Sequence, residues 1–212
     1  TLLNFMSLIG WNPGGEKEIF TLKDLTQLFD FDYVNKSGAI CNEEQLEWIN
    51  KEHIKLQSVE VQLETISLYL STYDKDLLSR MRELIIERIS HYGELKAVEQ
   101  DEFIFFKERP TYEKEKLLWK DTETSVLITH LGVVKEMLDA VPLWNKEILK
   151  EIIFPYAEAQ GKGAVLWPLR VALSGRDKSA DPFTLLAILG KDEARIRIDE
   201  AITSLSTIEA HT

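Results

Sequence analysis

The chain has 212 residues, 44% of them hydrophobic, and a formal net charge of −11. That size and composition suit one large or two modest domains with real cores. No apolar run approaches the ~20 residues of a membrane helix, and the first residues lack the order of a signal peptide, so the chain reads as soluble and intracellular. The acidic balance disfavours loose, sequence-independent binding to nucleic acid, because phosphate affinity comes largely from cations. One cysteine, Cys41, excludes an internal disulfide and fits a reducing compartment. His53, His91, His130 and His211 are scattered without ligand spacing, so they read as structural or surface residues and no zinc site is expected.

Helical periodicity recurs along the chain, while two-residue alternation is scarce, its best case being EFIFF at 102–106. The expected fold class is therefore mainly α. The first segment, TLLNFMSLIGW, is apolar at helical spacing, starts without a cap, and stops where Pro13, Gly14 and Gly15 force a turn. Thr21 with Asp24, and Asn42 with Gln45, cap the next two helices. A further helix runs through Val59, Leu63, Ile66 and Leu70. Asp74 then caps a helix carrying Leu77, Met81, Leu84 and Ile85, expected to stop at Gly93. Arg88 falls three residues after Ile85 and four after Leu84, so it extends that apolar stripe. Such an arginine is either a last-turn cation favoured by the helix dipole or one that meets a partner.

Past Pro110 the chain alternates acid and base through TYEKEKLLWKDTET, then resumes apolar helices around Val126 to Leu138 and Ile148 to Tyr156. The connector EAQGKGA leads into GAVLWPLRVALSGR, residues 163–176. Pro168 suits a first helical position and Gly175 the residue past the end, which predicts a two-turn helix. Leu169, Ala172 and Leu173 share one face; Arg170 and Ser174 share another. Trp167 packs along the helix start and its ring nitrogen needs an acceptor. The loop RDKSAD ends at a second cap-and-proline pair, Asp181 and Pro182, and Phe183 is expected to pack beneath that loop. Between Gly161 and Arg197 stand seven cations (Lys162, Arg170, Arg176, Lys178, Lys191, Arg195, Arg197) and four anions (Asp177, Asp181, Asp192, Glu193). This basic window is compatible with a local anion-binding face or with a solvated surface of mixed sign.

These residues carry a family resemblance. LWPLRVALSGR, SADPFTLLAILGK and the closing amphipathic helix resemble the carboxy-terminal end of bacterial-type glutamyl-tRNA synthetases. The opening stretch, from TLLNFMSLIGW to INKEHI, resembles the segment after the second nucleotide-binding signature of those enzymes. The resemblance implies a stem-contact domain at 1–58 and an α-helical-cage anticodon-binding domain with subdomains at 59–120 and 121–205, followed by a tail at 206–212. It also implies that the catalytic domain, with its ATP and Mg, precedes Thr1, which fits the uncapped start. No cofactor and no catalytic residue of glutamate activation is then expected in this chain.

Carried over by position, the resemblance places Arg88 at the arginine that monitors the third anticodon base and Arg170 at the cage arginine of the PLR motif. Ser179, Ala180 and Pro182 occupy positions that surround splayed anticodon bases; another family member has proline and leucine where Ala180 and Pro182 stand. Lys162, Arg176 and Lys178 are candidate phosphate contacts. The implied partner is tRNA(Glu), bound by a cytoplasmic monomer with no DNA or membrane partner. The alternative is an inert helical module that binds a protein.

Overall fold

A computed structural model describes residues 1–11, 16–35 and 42–209; the turn expected at 13–15, Cys41 and His211 lie outside the described residues. The described residues are mostly helical and contain no strand, only an isolated bridge between Trp11 and Val34. Two compact units divide between Glu99 and Gln100.

The first unit contains α1 (Leu2–Gly10), α2 (Leu22–Leu28), α3 (Glu43–Lys55), α4 (Val59–Tyr69), α5 (Lys75–Arg88) and α6 (Leu95–Val98). Its starts follow the expected capping chemistry. Thr21 and Asp24 form a reciprocal capping box, Asn42 accepts from the Glu44 amide, and Asp74 accepts from the amides of Asp76 and Leu77. A buried Asn4 ties three segments together. Its Nδ2 donates to the Glu18 carbonyl (2.8 Å), its Oδ1 accepts from the Phe20 amide (2.7 Å), and His53 Nε2 lies 3.0 Å from that oxygen. Trp11 and Phe20 are buried beside them, and Trp11 Nε1 donates to the Asp30 carbonyl (3.1 Å).

The domain boundary expected near residue 58 does not coincide with this division. Helix α3 packs on α5 within the first unit, and Asn50 Nδ2 donates across to the Ser90 carbonyl (2.6 Å). Helix α5 ends at Arg88, before the expected stop, because Ile89 turns extended; Gly93 sits in the following 3₁₀ turn, Tyr92–Glu94.

The second unit contains α7 (Ile104–Lys107), a 3₁₀ turn at Lys114–Leu117, α8 (Thr124–Asp139), α9 (Lys146–Gln160), α10 (Lys162–Ser174), α11 (Pro182–Leu189) and α12 (Lys191–Glu209). The Lys114–Leu117 turn, which precedes the boundary expected near residue 121, packs on α10 and α12. The alternating run at 102–106 is helical: a π turn, Glu99–Phe103, leads into α7, and Phe103, Phe105 and Phe106 are buried. Short apolar runs do not distinguish buried helix from strand, and here burial on helical turns decides.

Helix α10 is the hub, packing on α8, α9, α11, α12 and the 3₁₀ turn. This accounts for the burial of Val165, Pro168, Leu169 and all of Val171 to Ser174. It is longer than the two turns expected. It starts at Lys162, straight after Gly161, whose φ of 103° lets the chain turn out of α9 at no Cβ cost. Pro168 therefore lies inside the helix instead of opening it. It forgoes the amide bond to the Ala164 carbonyl, a cost set against the packing of α10 on its neighbours.

Candidate nucleic-acid interface

Three devices fix the carboxy-terminal end of α10. Gly175 follows the helix at φ 67°, ψ 10°, and its amide donates to the Val171 carbonyl at 2.7 Å. A Cβ there would lie 2.6 Å from Cβ of Pro110, so only glycine fits the turn. Buried Ser174 donates its hydroxyl to the Arg170 carbonyl (2.8 Å), accepts from the Arg176 amide (3.2 Å), and lies 3.4 Å from Ser179 Oγ. The loop is thereby folded back on the helix end. Within α10, the Trp167 ring meets Trp119 at 5.5 Å and its Nε1 donates to the Lys116 carbonyl (2.8 Å), the acceptor that the indole required.

The far end of the loop is equally fixed. Asp181 accepts from the amides of Phe183 (3.1 Å) and Thr184 (3.0 Å), and Pro182 takes the first turn of α11, as expected. Lys146 pairs with Asp181 at 3.1 Å. Partial burial pushes the Asp181 carboxyl up, but hydrogen bonds from Thr184 and the Lys146 charge outweigh it and hold the group below its ordinary value. Phe183 is buried and meets Phe154 edge-on at 6.3 Å, beneath the loop. Ser179 and Ala180 are half-buried between these anchors, and Ser179 Oγ donates to the Ala180 carbonyl at 3.0 Å.

Most cations of the basic window are engaged within the protein. Lys162 pairs with Glu158 (2.8 Å) and lies over the Phe154 ring, and Arg176 donates to the carbonyls of Gln100 and Asp101. Lys191 donates to the Asp139 carbonyl, Arg195 pairs with Asp139 (2.6 Å), and Arg197 pairs with Glu193 (2.8 Å). Arg170 and Lys178 make no side-chain hydrogen bond or ion pair to any described residue, and Arg170 is half-buried on a helix that packs on four others. A guanidinium held on a rigid helix and left unpaired can donate a fork of hydrogen bonds or stack on a planar ring.

Arg88 lies in the other unit, exposed at the last position of α5. The expected continuation of the apolar stripe is not realised, since the stripe buries Leu78, Met81, Leu84, Ile85 and Ile86 and leaves Arg88 outward. Sequence reasoning counted Arg197 among the cations of the basic window and missed its burial; it is the one buried Lys, Arg, Asp or Glu side chain among the described residues. The glutamate at i−4 marks an ordinary helix pair, and the burial follows from a carbonyl 24 residues away that local sequence does not show. Of the histidines, His130 is buried against Tyr156 (2.8 Å) and held below its ordinary value by that burial. Among the described residues no three His, Cys, Asp or Glu side chains are placed to hold a metal, and no helix is long and apolar enough to cross a membrane.

The model of a family described as anticodon binding domain matches residues 52–202. The glutamate–tRNA ligase of Clostridium acetobutylicum is 32% identical over 212 residues, covering 96% of this chain and 43% of that protein. That of Clostridium kluyveri is 35% identical over 211 residues, covering 96% and 42%. Among solved structures, a glutamate tRNA ligase from Elizabethkingia meningosepticum in complex with its amino acid superposes with a TM-score of 0.75 at 27% identity, covering 96% of this chain and 41% of that one. The chain thus spans about two-fifths of the length of the relatives it matches.

Proposed function

We propose that this chain, which belongs to the anticodon binding domain family, recognises the anticodon arm of tRNA(Glu) as one part of a glutamate–tRNA ligase that attaches glutamate to tRNA with ATP. The observation that carries the reading is a half-buried Arg170, unpaired among the described residues, beside a loop fixed at both ends. Proteins read RNA sequence chiefly on unstacked loop bases, through hydrogen bonds to base edges and through arginine or aromatic planes. Arg170 supplies such a plane, and Ser179, Ala180 and Pro182 line the loop beside it. Lys178, without a described partner, is the phosphate contact that needs no prior rearrangement; Lys162 and Arg176 would first exchange an internal partner for a phosphate. Arg88, outward at the end of α5, monitors the third anticodon base. The names of the relatives support glutamate as the amino acid. ATP and Mg act in residues other than these, and none of this chain's side chains is assigned the chemistry of activation. The protein works as a cytoplasmic monomer, and its net charge of −11 restrains indiscriminate binding to RNA or DNA.

The test is a binding titration at moderate salt with an anticodon stem-loop bearing a glutamate anticodon and with one altered at the third base. The altered loop binds about tenfold or more weakly, in line with ~1–3 kcal/mol for a good base contact. Arg88→Ala removes that difference. Equal affinity of the unsubstituted chain for both loops contradicts the role of Arg88, and no binding of either loop contradicts the reading as a whole.

A further inference from the structure

Arg197 on α12 is 2% exposed, a position at which a charge persists only when paired and hydrogen-bonded. Its guanidinium makes two kinds of contact. Nη1 donates to the carbonyl of Leu173 in the last turn of α10, and Nε donates to Glu193 at 2.8 Å. Glu193 is in turn gripped from outside by Arg109, whose Nε and Nη2 donate to its two oxygens at 2.9 and 3.0 Å, while Nη1 reaches Glu200 at 3.3 Å. Glu193 is held below its ordinary value because these two arginines outweigh the effect of its burial, which pushes it up. The segment that carries Arg109 also supplies Pro110 and Tyr112, which close over Gly175; Tyr112 is buried enough for its hydroxyl to be pushed up to about 12.

The Arg197 bond ends on Leu173 and the Pro110 and Tyr112 packing on Gly175, three and five positions after Arg170. An apolar side chain of similar volume in place of Arg197 would fill the core without the cost of desolvating a charge. What it would not do is bond the orphan carbonyl at the helix end, which Arg197 does while being aimed by a bridged carboxylate. We propose that Arg109, Glu193 and Arg197 form a positioning clamp that holds the last turn of α10 and the Ser174–Gly175 turn in place, so that Arg170 meets RNA from a fixed orientation. None of the three touches RNA. The clamp rests on the proposed reading of Arg170.

The clamp acts through Arg170, and that gives a readout which a general loss of stability does not move. Arg109 is the position to vary, since its side chain is 47% exposed and its removal leaves the core filled. The titration with the glutamate anticodon stem-loop is run on the 212-residue chain unsubstituted, with Arg109→Ala, with Arg170→Ala and with both. Arg109→Ala weakens binding about fivefold or more in the unsubstituted background and by less than about twofold once Arg170 is alanine, the non-additivity expected of coupled groups. Thermal unfolding of each variant is followed in parallel to establish that it is folded at the titration temperature. A loss of the same size in both backgrounds, or no loss in either, overturns the clamp while leaving the reading of Arg170 intact. Failure of the unsubstituted chain to bind the stem-loop overturns both.

Discussion

The two units handle apolar surface differently. The first leaves much of it outside: Leu2, Leu3 and Met6 on α1, Leu22 on α2, Phe31 at 82% exposure and Leu68 at 78% on α4. In the second, Val126, Leu143 and Ile196 are the exposed large hydrophobic residues among those described, and α10 packs on α8, α9, α11 and α12. The two arginines assigned to RNA differ accordingly. Arg88 stands exposed in the last turn of a helix, whereas Arg170 stands within a hub tied by Trp167 before it and by Ser174 and Arg197 after it. A group placed by packing can be oriented closely, and a group placed at a helix end is steered mainly by what it binds.

The largest expected effect that sharpens this contrast is on the cores. Leu169→Ala, at a fully buried position of α10, destabilises by about 2–5 kcal/mol in urea unfolding, while Leu68→Ala, on the outer face of α4, changes stability by less than ~0.5 kcal/mol. Comparable losses at both positions would mean that the outer face of α4 is covered. Next come the glycines. Gly175→Ala forces a side chain into a left-handed turn 2.6 Å from Pro110 and destabilises by more than ~1 kcal/mol. Gly10→Ala meets nothing within 4 Å at the end of α1 and is neutral or stabilising by up to ~1 kcal/mol.

Much of this was readable from local sequence. The caps at Thr21, Asn42, Asp74 and Asp181, the proline after Asp181 and the left-handed Gly175 each need only side chains within a few residues, and each stands where the spacing placed it. Three features depend on distant chain and were not legible. Helix α10 runs on through Pro168 while packing on the distant Lys114–Leu117 turn and four helices, so Pro168 misled as a helix opener. The helical state of the run at 102–106 follows from the burial of its three phenylalanines. The pairing of Arg176 with carbonyls 75 and 76 residues away turned an apparent phosphate contact into an engaged one. In the same way the surplus of cations between Gly161 and Arg197 overstated the free positive charge, since five of the seven are engaged internally.

A smaller effect concerns the loop's second anchor. Asp181→Ala costs about 1 kcal/mol through the lost cap. Because the folded-state carboxyl lies below its ordinary 3.8, its contribution is complete above that pH and is lost as pH falls through the lower folded value. Acid unfolding of Asp181→Asn accordingly lacks this part of the loss below pH 3.8, and an unchanged acid limb would show that Asp181 is not held as described. Smallest of all is the effect of Arg170→Ala on stability, within ~0.5 kcal/mol, since no described protein group depends on that guanidinium.

That last variant gives the most direct test of the central claim. Binding of the glutamate anticodon stem-loop is measured for the unsubstituted chain, Arg170→Ala and Arg170→Lys, with the unfolding midpoint of each recorded beside it. The account predicts a loss of ~1–3 kcal/mol in affinity for Arg170→Ala, only partial recovery with lysine because the planar fork is missing, and unfolding midpoints that hardly move. Affinity unchanged by Arg170→Ala in a chain that binds the stem-loop would contradict it.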